Sequence, residues 1–327
     1  MTHDVVGIGN AIVDITSRED DEFLNAHGLV KGAMTLVDID RSDELYGAMS
    51  PAVESSGGSA ANTIAGVASF GGSAAYVGKV RDDQLGTVFG HDIRAAGVDF
   101  DVPPAQHGPP TGRCLVMVTP DAARTMHTHL GIAGLLHPDD IDVALVGGAA
   151  ILYCEGYIWD VPITKEAIRL AMSTCRANDN KVSFTLSDSF CVERHHAEWL
   201  DMVENEIDLL FANEAEICTL YDTGDVEEAI DAVRGRCSVV HVTRSAKGSV
   251  VVTADATLEI PAEPVEDVVD TNGAGDMYAA GALFGYSRGL DHRSCARLGS
   301  LAAAEVIGHM GARPLVPLSE LATDLVR

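Results

Sequence analysis

The chain has 327 residues, with 46% hydrophobic and 22% charged side chains, a composition that excludes wholesale disorder and fibrous repeats. Its 22 Lys and Arg stand against 49 Asp and Glu, a formal charge of −27, which argues against nucleic acid and against an anionic membrane surface as partners. With so few cations, an anionic ligand must be received by backbone N–H groups or by a metal ion.

The N-terminal Met1–Asp14 carries no basic segment before its first apolar run, so no signal peptide is read there. The first predicted strand is Val5–Gly9. Short extended pieces around an acidic stretch follow, and then come a small-residue helix at Ala60–Phe70, a strand at Ala75–Val80 and a helix at Gln84–Ala96. Gly112–His129 reads as a hairpin about the turn Pro120–Asp121. From there strands are predicted at Ala150–Tyr153, Val182–Leu186, Leu209–Ala212, Val239–Thr243 and Ser249–Val252. Helices are predicted at Thr164–Asn178, Asp188–Val203, Glu214–Tyr221, Val226–Gly235 and Met277–Ser287.

Strands alternating with helices of this length predict parallel βαβ units in a three-layer α/β/α core with a mostly parallel sheet. Segments 11–45 and 101–132 break the rhythm and are expected to form a small antiparallel sheet, a lid at the edge of the core. The whole of 1–327 is then one unit. Seven scattered cysteines without a C-x-x-C pair read as reduced thiols. No apolar run approaches the roughly 18 residues of a membrane span, and a cytoplasmic location is expected.

The richest stretch is Asp270–Asp276, D-T-N-G-A-G-D, which opens a helical pattern. Gly273 and Gly275 let the backbone approach a ligand, and the helix start offers free N–H groups and the positive end of its dipole. Asp276 at that mouth is placed to take a proton from a hydroxyl, an arrangement suited to phosphoryl transfer to an alcohol. Taken alone, Gly-Ala-Gly-Asp is also an ordinary turn with a capping carboxylate. No G-x-x-x-x-G-K-[ST] occurs, so a P-loop is excluded, and Gly7–Ile12 lacks the third glycine of a dinucleotide fingerprint.

The seven-residue string resembles the C-terminal signature of the PfkB family of carbohydrate and nucleoside kinases, whose fold is ribokinase-like. The resemblance implies that Asp276 is the catalytic base and that the amides of Gly273, Ala274 and Gly275 form the anion hole. Ser56–Asn62, S-G-G-S-A-A-N, is similar to the family's G-G-x-x-x-N element and puts Gly58, Ser59 and Asn62 beside the acceptor. Asn213-Glu214-Ala215-Glu216 looks like the N-x-x-E motif, so Asn213 and Glu216 would hold Mg²⁺ through water. The segment Val242–Gly248 matches the nucleotide loop, giving Thr243, Ser245 and Gly248, with Thr271, to ATP. Ser245 stands where many members carry glycine.

Within the family, Gly9–Asp14 separates Asn10 from Asp14 as the adenosine kinase branch does. Asn10 and Asp14 would then hold ribose hydroxyls and Ile12 would wall a purine. Arg124 would close over the transferring phosphate, since its fork stays charged throughout. His127 and His129 are expected to be exposed or to contact the base, and the pair His195 and His196 to lie on solvated surface. The resemblance therefore implies an ATP- and Mg²⁺-dependent transferase that salvages a purine nucleoside, most of all adenosine, at its 5′-hydroxyl, and it allows K⁺ near the anion hole. A sugar kinase acting on ribose, fructose or a keto-acid sugar remains open, as does a non-catalytic nucleoside-binding regulator. The lid is compatible with either a monomer or a homodimer.

Overall fold

The computed structural model describes residues 3–121 and 123–325. Met1, Thr2, Ala122, Val326 and Arg327, which the reading of 1–327 as one unit also spans, lie outside the described residues. In chain order the strands are β1 (Val5–Ile8), β2 (Ile12–Arg18), β3 (Met34–Leu36), β4 (Val53–Gly57), β5 (Ala74–Val77), β6 (Gly112–Val118), β7 (Arg124–His129), β8 (Ile151–Glu155), β9 (Lys181–Thr185), β10 (Leu209–Asn213), β11 (Val239–Thr243), β12 (Ser249–Val252) and β13 (Thr257–Ile260).

Eight of them form the main sheet in the order β13-β12-β11-β10-β9-β8-β1-β5. From β11 through β5 every neighbouring pair is parallel, and β12 and β13 fold back antiparallel at one edge. Continuous apolar runs such as Val5–Ile8 are buried along their whole length, as strands covered on both faces must be. One face packs on helices that include Pro162–Ala177 and Ser189–Asn205, around Trp159, Phe184 and Trp199. The other packs on Ser59–Ser69, Gln84–Ala95 and Ala274–Ser287. The core is the expected three-layer, mostly parallel α/β/α arrangement. No helix among the described residues is long and apolar enough to cross a membrane.

A second sheet of five strands runs β3-β7-β6-β2-β4. It is mixed and not antiparallel as expected, because β2 pairs in parallel with β6 and β3 with β7. The long excursion through the core between β2 and β6 allows this pairing, since parallel neighbours need a crossover and cannot be joined by a tight turn. The strand β4 also lies outside the 11–45 and 101–132 segments. Its sequence, Val-Glu-Ser-Ser-Gly, shows little apolar alternation.

Period-two alternation gives this small sheet two different faces. Val13, Ile15, Leu115 and Met117 turn toward Leu24 and Leu45 and continue the core. Ile12, Cys114, Val116 and Met126 turn the other way, into a cleft between the small sheet and the ends of the main-sheet strands. His127 is buried on the core-side face, opposite Leu115, and does not line the cleft. It is therefore neither exposed nor base-contacting, and His129 follows it on the same face with its Nδ1 3.3 Å from the carbonyl of Val37. His195 is likewise not simply solvated, because its Nε2 lies 2.6 Å from Asp160 at a kink in its helix.

Candidate active site

The cleft has a volume of about 570 Å³, inside the ~300–1,000 Å³ range of small-molecule sites, and opens at the carboxyl ends of the parallel strands, where open α/β sheets bind ligands. Its floor is set by two helices. Ser59–Ser69 and Ala274–Ser287 approach closely because small residues face one another: a Cβ on Gly66 would lie 2.6 Å from the Cβ of Ala280. Their N-termini therefore converge on one point.

At that point Asp276 accepts a hydrogen bond from Ser59 Oγ at 2.7 Å and one from Asn62 Nδ2 at 3.1 Å, one on each carboxylate oxygen. Burial pushes its carboxyl up to about 6, against the lowering effects of Ser59, Asn62 and Arg313. The turn before it is built by glycine. Gly273 sits in the left-handed region at φ 74°, and a Cβ there would lie 2.7 Å from the carbonyl oxygen of Ala312. Nothing crowds Gly275. The N–H groups of Gly275 and Asp276, at the start of the helix, find no backbone acceptor among the described residues, as expected for a first turn.

The N-terminal side of the cleft is organised by Glu155, at the end of β8. Its carboxylate accepts from the Asn10 N–H at 2.8 Å, Asn10 Nδ2 at 3.0 Å and the Ala60 N–H at 2.7 Å. Burial nevertheless raises its carboxyl to about 7. The brace leaves Asn10 Oδ1 buried with no partner. Asp14 lies on the same wall and accepts no hydrogen bond among the described residues, and burial pushes it up to about 6 against the lowering fields of Arg313 and Arg124. Two acceptors thus face the cleft with free valences. Gly58, at φ 98°, makes this juxtaposition possible, because a Cβ there would lie 2.3 Å from the Asn10 carbonyl oxygen.

Of the residues singled out in the sequence, the cleft is lined by Asn10, Ile12, Asp14, Gly58, Ser59 and Asn62 on one side. Asn213, Glu216, Thr243, Gly273, Gly275 and Asp276 line the other. Ser59 and Asn62 each direct a polar hydrogen at Asp276. Arg124 is not on the cleft wall. Its guanidinium is ion-paired with Asp270, the first residue of the glycine turn, which also accepts from the N–H groups of Asn272 and Gly311. Reaching a phosphoryl group requires Arg124 to exchange Asp270 for it.

Asn213 and Glu216 form a reciprocal helix cap. Burial raises the Glu216 carboxyl to about 7, with the Asp188 charge adding to the effect. A buried carboxylate without a cationic partner fits a divalent cation held through water, since Mg²⁺ dehydrates reluctantly. Thr271, Ala274, Ser245 and Gly248 lie off the cleft wall. Gly248, at φ 88°, closes the loop against the Ile260 carbonyl.

Ser245 is exposed and keeps φ at 51°, a left-handed conformation that costs a side-chain-bearing residue about 1–2 kcal/mol. Glycine relieves that strain but loses more freedom on folding. Ser245→Gly should therefore raise the unfolding free energy in urea by up to about 1 kcal/mol. A loss of stability would show that the serine hydroxyl makes a compensating contact.

Glu155, Asp270 and Arg313 were not picked out from sequence. Glu155 had a partial signal: it stands two residues beyond the predicted strand Ala150–Tyr153, on the side where α/β sheets place their sites. The other two act on residues far away in the chain.

The sequence matches the profile described as pfkB family carbohydrate kinase over residues 28–318. The crystal structure of adenosine kinase from Sinorhizobium meliloti is similar at 49% identity with a TM-score of 0.94, covering 99% of each chain. A probable sugar kinase protein from Rhizobium etli superposes with a TM-score of 0.94 at 46% identity, covering 99% of this chain and 98% of that one. Adenosine kinase from Saccharomyces cerevisiae is 27% identical, covering 95% of this chain and 96% of its own.

Proposed function

We propose, from the premise that this chain belongs to the pfkB family of carbohydrate kinases, that it transfers the γ-phosphoryl group of ATP to the ribose 5′-hydroxyl of a purine nucleoside, adenosine foremost. The observation that carries the nucleoside reading is the division of the cleft. Asn10 Oδ1 and Asp14 offer acceptors for a diol. Beyond them Ile12, Cys114, Val116, Met126 and Leu36 form an apolar wall with no counterpart in a sugar's ring of hydroxyls. Burying hydroxyls against such a wall without partners is costly, whereas the flat face of a base suits it. The similarity to the Sinorhizobium adenosine kinase supports the same reading.

In this reading Asp276 takes the proton of the 5′-hydroxyl on a carboxylate oxygen, and Ser59 and Asn62 fix the orientation of that carboxylate. Free N–H groups at the helix start receive charge developing on the phosphoryl oxygens, which lets a site with few cations handle an anion. When bound, Mg²⁺ held by Glu216 and Asn213 would neutralise phosphate charge. Asp270 already has its carboxylate occupied by Arg124, Asn272 and Gly311, so no K⁺ site is assigned there. The lid sheet excludes water from the acceptor, and the enzyme acts in the cytoplasm.

The test is the initial rate of ADP release from MgATP across adenosine, inosine, guanosine, cytidine, ribose and fructose. A purine nucleoside should lead by at least about 100-fold in kcat/KM over any free sugar, because a missing apolar group together with unpaired hydroxyls is worth several kcal/mol. A leading free sugar would overturn the reading.

A further inference from the structure

Arg313 lies in the loop after the helix His292–Ile307, beyond every motif that marks the site. Contacts to the glycine turn and to the preceding helix hold its loop in place. The Gly311 N–H donates to Asp270 Oδ2 at 2.9 Å, the N–H groups of Leu315 and Val316 donate to Glu305 Oε1 at 2.9 and 3.1 Å, and Ala312 fills the space a Cβ on Gly273 would need. The guanidinium is thereby carried beneath the cleft floor, where its Nε lies 3.3 Å from Asn62 Oδ1 and its Nη1 3.5 Å from Asp92 Oδ2. Asp92 is itself fixed by the N–H and hydroxyl of Ser56 at 2.7 and 2.5 Å.

The chain of contacts has a direction. A guanidinium can only donate, so Asn62 must turn its carbonyl oxygen toward Arg313, and its NH₂ then points at Asp276 Oδ2, 3.1 Å away. We propose that Arg313 is a positioning residue for phosphoryl transfer: it fixes the polarity of the Asn62 amide, so that the catalytic carboxylate of Asp276 is held in its proton-accepting orientation. Its positive charge acts in the same sense, favouring the ionised base. The other groups facing Asp276 are Ser59 and Asn62 from its partner helix, Asp14 from β2, Tyr153 and Glu155 from β8, and Tyr157 just beyond that strand. Arg313 is the cation among them. Asp92 balances its charge on the far side, and Arg124 serves Asp14 from β7.

The proposal rests on Asp276 being the base in the reading above, and the experiment separates the two. Arg313→Met and Arg313→Lys are assayed for kcat, nucleoside KM and the pH dependence of kcat at saturating nucleoside and MgATP, with circular dichroism as the check on folding. Arg313→Met should lower kcat by about 10–100-fold with nucleoside KM changed less than about threefold, the pattern of an interaction realised in the transition state. Its acidic limb should move to higher pH by about half a unit to one unit, because the loss of a nearby cation raises a carboxyl. Arg313→Lys keeps the charge but not the directed Nε, so it should lower kcat with the limb unmoved. It also tests the proposal if the methionine variant fails to fold.

In an Asn62→Ala background, Arg313→Met should cause no further loss in the plateau value of kcat above the acidic limb, as expected for residues acting in series. A folded Arg313→Met with normal kcat and an unmoved limb overturns the proposal, as does a rise confined to KM, and so does full additivity with Asn62→Ala. If Asp276→Asn itself turns over normally, the base assignment falls instead, whatever Arg313 does.

Discussion

Asp276→Asn should reduce kcat by about 10²–10⁴-fold, the usual contribution of a positioned general base, while nucleoside affinity stays within a few-fold of the parent. The carboxylate has hydrogen bonds on both oxygens, from Ser59 and Asn62. The amide substitute keeps the volume and can keep both contacts, its oxygen accepting from Asn62 Nδ2 and its NH₂ donating to the Ser59 hydroxyl, but it can no longer take a proton. The pH dependence gives the same residue a second signature. Burial holds its carboxyl up at about 6, near enough to neutrality for proton acceptance to be efficient yet low enough for the group to be ionised at pH 7. Activity must fall as pH drops through that value, because the base is then protonated. At saturating nucleoside and MgATP the component of the acidic limb of kcat near 6 belongs to Asp276, with Glu155 and Glu216, both raised to about 7, titrating just above it. Below saturation Asp14, also raised to about 6, titrates in the same window, and the limb of kcat/KM belongs to the pair. The asparagine variant should lose the component of the kcat limb near 6. Parent-like turnover, or a component near 6 that survives the substitution, would remove Asp276 from the role of base.

Asp14→Ala should lower kcat/KM for adenosine by about 10²–10⁴-fold, chiefly through KM, since two hydrogen bonds to a charged acceptor contribute about 1.5–3 kcal/mol each. The more diagnostic result concerns modified nucleosides. The parent should discriminate against 2′-deoxy- and 3′-deoxyadenosine, and the alanine variant should lose that discrimination because the clamp that reads those hydroxyls is gone. Loss of folding is not the expected cause. The folded carboxyl lies above the ordinary value, so its stabilising contribution is complete at low pH and is lost as pH rises through about 6. At pH 7.5 removal of the carboxylate should leave the unfolding midpoint unchanged or higher. Equal discrimination in parent and variant would place the ribose elsewhere in the cleft.

Much of this architecture was legible because local pattern and tertiary role coincide. Val239–Thr243 and Ser249–Val252 are strands over the residues the apolar runs suggest. The first glycine of D-T-N-G-A-G-D, Gly273, occupies a left-handed turn where a side chain would strike Ala312. What stayed hidden depends on approach between distant segments. The mixed pairing of the small sheet is decided by where the chain re-enters after a long excursion. The edge strand β13 and the helix His292–Ile307 were not picked out, although the helix packs directly against the one that carries Asp276. Glu155 reaches Asn10 across 145 residues, and Arg313 reaches Asn62 across 251. No spacing rule links such pairs. The hydrogen bonds of Ser59 and Asn62 to the base, in place of the substrate, are likewise a consequence of how closely two small-residue helices pack.

The acidity of the chain, −27 overall, agrees with a site that meets phosphate with backbone N–H groups and keeps its two nearest guanidiniums paired with Asp270 and Asp92. The most direct measurement of the central claim is a one-pot competition: equal adenosine and ribose with limiting MgATP, the products resolved by mass and by phosphorus–proton coupling. The account predicts adenosine 5′-monophosphate and ADP, with ribose recovered unchanged. Ribose phosphate as the main product, or ADP formed without any phosphorylated nucleoside, would contradict it.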